Sequence, residues 1–450
     1  MLLKIKKVFS LITKKKEKIL ESFVSEGFFY TFQRGIWWLR KHQWNQEKEE
    51  LPLNQYLNLQ FPDLQPIFFT RLPESSRKKR INLVTDALGS SLLGGVGTAL
   101  LLASKFAVRE NMSLRIITRL EKANPTSYFD FMKLMHEPPP EKVEFWSDAL
   151  RSPSGQYSRR LELADDEIFF TTSWWTTKIV KEMQLPCKIF YIVQEVEPFF
   201  YPYNDQHLWC SQLLKDPHID YLINSHWLFD YFKMFHPNIV QHGACFEPAF
   251  PRHLYSPKQQ KSIGKHKLFY YARQFHPRNL FFTGITILDQ AISQGIIDTD
   301  HWDVCLAGAP ITPSFIFSTG YKPTFMGKMS WAEYSSFLGE VDLTFSLMYT
   351  PHPSYPPLDT IASGGVCVTN SFANKTGCKF CKNLIFCDLT PESLYNGLAK
   401  GIQLALNESE RQENFKNSTL PTSWSETLAS TLQFMKDRYQ NESEPVHTSC

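Results

Sequence analysis

From Ile81 onward the chain alternates short apolar runs with stretches of helical periodicity, and this alternation limits the possible folds more than any other feature. Ile81-Asn82-Leu83-Val84 reads as a strand, Gly94-Gly95-Val96-Gly97-Thr98 as a loop, residues 99–108 as a helix and 114–118 as a second strand. That order, β–loop–α–β, opens a doubly wound α/β domain. Residues 167–171, 188–193 and 221–224 are further strand candidates, with helical stretches at 173–183 and 208–214. A second series begins near residue 267: strands at 267–272, 302–307, 343–348 and 366–369, and helices at 278–293, 330–339, 357–362, 391–407 and 424–439. The reading is α/β, with two Rossmann-like domains facing a central cleft and an N-terminal helical extension. The expected division is 1–80 for the extension, 81–262 for the first domain and 263–450 for the second, which carries the C-terminal helix.

Composition narrows the function. The 450 residues hold 48 basic and 45 acidic side chains, a net charge of +3, which does not suit a globally basic nucleic-acid binder. Nine cysteines in this length do not make a disulfide scaffold. Cys305 and Cys367 lie in apolar strand contexts and read as buried thiols. Cys378 and Cys381 form one CxxC pair, and a zinc site needs two such pairs or histidines at defined spacing. No run approaches the ~20 apolar residues of a membrane span. The first residues do not form a secretory signal, because Lys6, Lys7 and Lys14-Lys15-Lys16 break the apolar segment. The expected location is cytoplasmic.

The extension has a texture of its own. Lys4, Lys6, Lys7, Lys14, Lys15, Lys16 and Lys18 alternate with Leu2, Leu3, Ile5, Val8, Phe9, Leu11 and Ile12, followed by Phe28, Phe29, Trp37 and Trp38. Basic residues beside clustered rings suit a helix lying in a membrane interface, with cations on anionic lipid and rings at headgroup depth. Residues 1–48 are therefore expected to meet an anionic membrane surface, on the inner face of the cell membrane; a helix packed on the protein's own body and a partner interface are the alternatives.

Four segments follow strands and can carry chemistry. Gly94, Gly95 and Gly97 can let backbone amides approach an anion at a helix start, although the run is neither G-x-G-x-x-G nor a P-loop. Glu195 and Glu197, in Gln194-Glu195-Val196-Glu197-Pro198-Phe199-Phe200-Tyr201-Pro202, stand at a strand end, where α/β domains bind ligands; they can orient sugar hydroxyls or move protons. Phe199, Tyr201 and Tyr355 are placed to stack on a sugar. Arg273 and Arg278 flank a turn and can share one diphosphate. In 346–359 a strand enters a proline-stiffened loop and then a helix starting near Pro357. Tyr349, His352, Ser354, Tyr355 and the helix amides can bind phosphate there, and Asp359 can accept from a ribose hydroxyl.

At these residues the chain resembles a GT-B glycosyltransferase of family 4, most nearly the rhamnosyltransferases of rhamnan and surface-polysaccharide synthesis. The resemblance rests on 194–202, on Tyr271-Ala272-Arg273 with Pro277-Arg278-Asn279, and on Pro351-His352-Pro353-Ser354-Tyr355-Pro356-Pro357-Leu358-Asp359 with Gly364, in order over about 81–430. It implies a retaining, metal-independent transferase with no cofactor beyond its nucleotide-sugar donor. The acceptor, a glycan or lipid-linked glycan, would lie on the first domain and the donor on the second. It implies L-rhamnose moved from dTDP-L-rhamnose, with Arg273, Arg278 and Lys328 as diphosphate cations. The family's paired glutamates fall here on Pro351 and Asp359, and its strand-end histidine on Gln194. Those departures leave a catalytically silent glycan-binding or scaffold subunit as a second reading, and an epimerase of the same fold as a third. No nucleic-acid partner is expected.

Overall fold

The computed structural model describes residues 50–72, 79–89, 94–148, 160–165, 167–257, 264–327 and 329–441. The proposed membrane-facing residues 1–48, and Lys328, lie outside them. Among the described residues no helix is long and apolar enough to cross a membrane.

The first half contains the strands β1 (Phe69–Arg71), β2 (Arg80–Thr85), β3 (Ser113–Thr118), β4 (Val143–Ser147), β5 (Leu161–Leu163), β6 (Ile168–Thr171), β7 (Lys188–Val193), β8 (Asp220–Asn224) and β9 (Gly243–Phe246). Seven of them form one sheet in the order β4-β3-β2-β6-β7-β8-β9, parallel throughout, while β1 and β5 pair separately. The second half contains β10 (His266–Ala272), β11 (Trp302–Gly308), β12 (Thr324–Gly327), β13 (Leu343–Phe345), β14 (Val366–Asn370) and β15 (Leu384–Cys387), parallel in the order β12-β11-β10-β13-β14-β15. Parallel strands covered on both faces need continuous apolar side chains. Lys188-Ile189-Phe190-Tyr191-Ile192-Val193 supplies them and is buried beyond its first residue.

Each sheet reverses its strand order once, between β2 and β6 and between β10 and β13. Loops at the carboxyl ends of those strands form the ligand crevice of such folds. Helix starts are fixed locally. Ser173 and Ser330 each close a capping box at the head of Trp174–Glu182 and Trp331–Leu338.

Four expectations change. The Gly94-Gly95-Val96-Gly97 segment is not a loop but the first turn of the helix Gly94–Arg109. A Cβ at Gly97 would stand 2.9 Å from Phe131 Cζ, and one at Gly95 3.2 Å from Gln194 Oε1. These glycines therefore permit close packing of side chains over the helix, and Gly95 accepts a hydrogen bond from Gln194 Nε2 at 2.8 Å. The helix expected from Pro357 begins earlier, as Tyr355–Ala362. The strand expected over 343–348 ends at Phe345, because the chain then turns into the loop that holds the site. Finally, the last helix, Ala429–Asn441, does not stay with the second sheet. Trp424, Leu428, Leu432 and Met435 complete the core of the first one, with Ile81, Leu100, Phe106 and Phe170.

This return makes a prediction. Leu432→Ala should cost about 2–4 kcal/mol, the usual result of a buried leucine truncation. Amide exchange should then quicken in β2, β3 and Gly94–Arg109. Faster exchange confined to residues 266–399 would contradict the assignment.

Candidate active site between the two sheets

Glu195 follows β7 and is buried at the junction of the two sheets. Its Oε1 accepts from the Val196 amide at 3.0 Å. Its Oε2 accepts from Thr350 Oγ1 at 3.2 Å and lies 3.4 Å from Arg278 Nε, both in the second half of the chain. Burial raises the Glu195 pKa, while Arg278, the Val196 amide, Thr350 and Lys375 oppose the rise.

Glu197 sits differently. Its Oε2 accepts from the Trp174 amide at 2.7 Å, at the head of Trp174–Glu182, and it is buried within the first half. Burial pushes its pKa up to about 8, so the carboxyl is largely protonated at neutral pH. The two glutamates that the sequence offers as a pair thus separate: Glu195 faces the other sheet, and Glu197 supports a helix start.

Arg273 leaves the end of β10, and its guanidinium meets His276 Nε2 at 2.5 Å. Burial, then Arg273 and Arg278, lower His276 to about 4, so the imidazole is neutral and accepts. Arg278 lies over the Phe200 ring, 4.5 Å from its centroid. Burial lowers its pKa, Glu195 opposes this, and Arg273 lowers it further, so the two guanidiniums lie within electrostatic reach of each other.

The loop after β13 completes the cluster. His352 is buried, and its Nδ1 accepts the Ser354 amide at 3.0 Å, which places a proton on Nε2. Burial, with Arg278 and Lys375 nearby, lowers His352 to about 3, so it acts as a neutral ring. Ser354 has φ 64° and ψ 150°, a region that L residues rarely occupy and that costs about 1–3 kcal/mol. The Tyr355 hydroxyl takes a hydrogen bond from Asn224 Nδ2 at 2.7 Å and lies 2.7 Å from Thr98 Oγ1. It ties the second half to the first rather than offering itself to a sugar. Tyr201 is likewise engaged, accepting from Trp174 Nε1 at 2.9 Å. Phe199 remains open.

Three site expectations are corrected. The helix Tyr355–Ala362 carries Pro356 and Pro357 in its first turn, which have no N–H to give. The Ser354 amide is already used by His352. Little of the expected helix-amide cradle for phosphate is left. Asp359 is buried rather than presented at the surface of the cleft. Tyr334 donates to its Oδ2 at 3.1 Å, and Oδ1 makes no hydrogen bond among the described residues. Burial raises Asp359 to about 7, against the hydroxyls of Tyr334 and Tyr255. A ribose contact from Asp359 would have to use Oδ1. The ring of Tyr349 is 56% exposed and packs on Phe372, not among the charged groups.

Sequence reasoning missed Lys375. It stands in a turn just past β14, at the carboxyl edge of the sheet, and that position was the available signal. The side chain is buried, and Nζ donates to the carbonyls of Met348 and His352, both at 3.2 Å. Burial lowers its pKa to about 7, while Glu195 pulls the other way. Lys375 pins the loop that holds His352. Lys375→Met should therefore cost about 1–3 kcal/mol and speed amide exchange across residues 348–354. Unchanged exchange would remove that role. Among the described residues no group of three or more His, Cys, Asp or Glu side chains is placed to hold a metal ion. Cys378 and Cys381 are free.

Two facing parallel sheets, each reversing its order once, with charged groups from both meeting at the strand ends, define the GT-B architecture. Solved structures share this fold. A sucrose-phosphate synthase from Thermosynechococcus elongatus superposes with a TM-score of 0.51 at 11% identity, over 81% of this chain and 99% of that one. TarM of S. aureus gives 0.57 at 8% identity, over 80% and 99%. WaaG, a glycosyltransferase involved in lipopolysaccharide biosynthesis, gives 0.53 at 12%, over 78% and 98%. Residues 80–225 match the N-terminal domain of WsaF and 266–399 its C-terminal domain, and by both domains the chain belongs to the WsaF family. An O-antigen biosynthesis protein, RfbC of Myxococcus xanthus, is 25% identical over 241 residues, 52% of this chain. The matched region is 18% of that protein's length.

Proposed function

We propose that the protein is a glycosyltransferase of surface-polysaccharide synthesis that moves a 6-deoxyhexose, L-rhamnose from dTDP-L-rhamnose, onto a glycan or lipid-linked acceptor. One observation carries the reading. Glu195 from the first sheet meets Arg278 and Thr350 from the second, with Lys375 and His352 close behind, at the carboxyl ends of both sheets. The family match supports it, as does RfbC, whose name assigns it to O-antigen synthesis. The solved TarM variant, on the same fold, is in complex with Fondaparinux, α-GlcNAc-glycerol and UDP. Assignment to glycosyltransferase family 4 rests on the sequence resemblance described above.

Departure of a nucleoside diphosphate leaves growing negative charge on the bridging oxygen. Fixed cations aimed at that point lower the barrier. Arg273 and Arg278 are the cations at the end of β10 and the turn after it, and they replace the amides that Pro356 and Pro357 withhold. A covalent route would need an ionised nucleophile. Glu197 is neutral near pH 7 and tied to Trp174, and Glu195 is held by two hydrogen-bond donors and the Arg278 ion pair. The arrangement favours attack from the face the diphosphate leaves, with retention and the leaving phosphate taking the acceptor's proton. Glu195 orients the acceptor hydroxyl or steadies the cationic sugar.

The test is a screen of nucleotide sugars for thermal stabilisation, followed by transfer and hydrolysis assays. Stabilisation by dTDP-L-rhamnose, lost about 10²-fold in affinity on Arg273→Ala, is the expected result; one donor-phosphate contact has that order of effect. Binding without hydrolysis or transfer would instead support the silent subunit. Unchanged transfer by Arg273→Ala would displace the donor site.

A further inference from the structure

A line of aromatic rings crosses the junction of the two sheets, and of its members only Tyr231 belongs to a hydrophobic core. Phe235 meets Tyr231 at 4.6 Å between centroids, both on the helix His226–Phe235. Tyr231 meets Phe199 at 6.2 Å. Phe199 meets Phe372, from the second half, at 6.2 Å, and Phe372 meets Tyr349 at 5.0 Å. Phe235 is 57% exposed, Phe199 45% and Tyr349 56%, over a buried Tyr231 and a half-buried Phe372. Exposed apolar surface that is continuous, rather than scattered, marks a binding surface.

Three of the rings, Phe199, Tyr349 and Phe372, adjoin the site. Phe199 shares the turn Glu197–Phe200 with Glu197 and with the ring beneath Arg278. The Tyr349 amide donates to the Arg278 carbonyl at 2.7 Å, and the next residue, Thr350, holds Glu195. Phe372 pairs through its backbone with Lys375.

We infer that the exposed rings Phe235, Phe199 and Tyr349, backed by Tyr231 and Phe372, bind the acceptor glycan beyond its reacting unit, as contacts for successive sugars that span both halves of the protein. Sugar rings present C–H faces that pack on aromatic faces, and their hydroxyls need water or polar groups alongside. Exposed Asp230 and Lys233 on the same helix put both signs of charge beside the rings and beside exposed Met234. A lipid surface asks for a broad apolar face with an excess of cations. A chain of sugars fits the mixed one. The inference rests on the transferase reading, and it adds an acceptor of several sugar units as the substrate class.

The test uses the full chain and linear rhamno-, gluco- and N-acetylglucosamine oligosaccharides of two and four units. In at least one series the tetrasaccharide should bind roughly tenfold tighter than the disaccharide, the effect of one or two well-packed aromatic anchors. Phe235→Ser and Tyr349→Ser should each abolish that advantage while the disaccharide still binds, and Phe235→Tyr should restore it. Because the readout is a ratio within one variant, misfolding cannot mimic it. No length advantage in the unaltered chain, or one that survives both serine variants, overturns these sugar contacts. So does a pair of variants that lose binding only to phosphatidylglycerol–phosphatidylethanolamine vesicles. A protein that shows the length advantage but no stabilisation by any nucleotide sugar would keep the sugar contacts and lose the transferase reading.

Discussion

Arg278→Met is expected to lower transfer about 10³-fold, more than any other single change at the site. Two losses combine. On the proposed reading the donor diphosphate loses a guanidinium, a contact whose removal costs on the order of 10²–10³ in rate where charge develops. Glu195 also loses its cation while staying buried, with Thr350 and the Val196 amide as remaining donors. Arg278 is partly solvent-exposed, so the stability cost is discounted to about 1–3 kcal/mol from the larger figure for a fully buried pair. Arg278→Lys should recover part of the stability and little of the rate, because a point charge cannot reproduce the planar fork that sits over Phe200. Steady-state rates with denaturant midpoints for both variants check this. Near-normal transfer by Arg278→Met would move the donor phosphates away from this turn.

The second large effect concerns pH. The Glu197 pKa stands at about 8 in the folded protein, chiefly through burial, against the ordinary 4.5 of the unfolded chain. Between those values the folded state holds a proton that the unfolded state has released. Stability from this residue is therefore full below about pH 4.5 and falls as the pH rises through 8, by on the order of 3–5 kcal/mol. Glu197→Gln removes the titration and keeps an oxygen for the Trp174 amide. The variant should match the parent near pH 5 and exceed it in stability near pH 9. Asp359, raised to about 7, adds a loss of the same sign. Lys375, lowered to about 7, acts oppositely, since only the unfolded chain keeps its proton above that pH. Both are common to parent and variant, so the difference between their denaturant midpoints isolates Glu197. An equal offset at pH 5 and pH 9 would show that Glu197 is not held neutral.

Much of this architecture is readable from residue order. Interior strands such as Lys188–Val193 carry unbroken apolar runs, because both faces are covered. The missed strands are at or beyond the sheet edges, as with Gly243–Phe246, Thr324–Gly327 and Leu384–Cys387. Edge strands are short and partly exposed, so their apolar signal fades. Within the site, strand ends identified Glu195, Arg273 and Arg278. The separation of Glu195 from Glu197 was not readable, because it depends on which side chain turns toward a helix start from another part of the chain. Lys375 was missed for a related reason. A lone lysine in a polar turn looks solvated until the carbonyls of Met348 and His352 are seen to surround it.

The returning helix Ala429–Asn441 has a consequence for how the chain is made. Leu428, Leu432 and Met435 fill space beneath strands that were synthesised long before them. At ~5–20 residues per second, the completed β9 waits on the order of 10–40 s on the ribosome for the helix that covers it. Through that interval Phe106, Phe170 and their neighbours lack one wall, and the nascent first half is exposed to holding chaperones and proteases. The first sheet is thus completed only once residues 424–435 have been made and have docked on it.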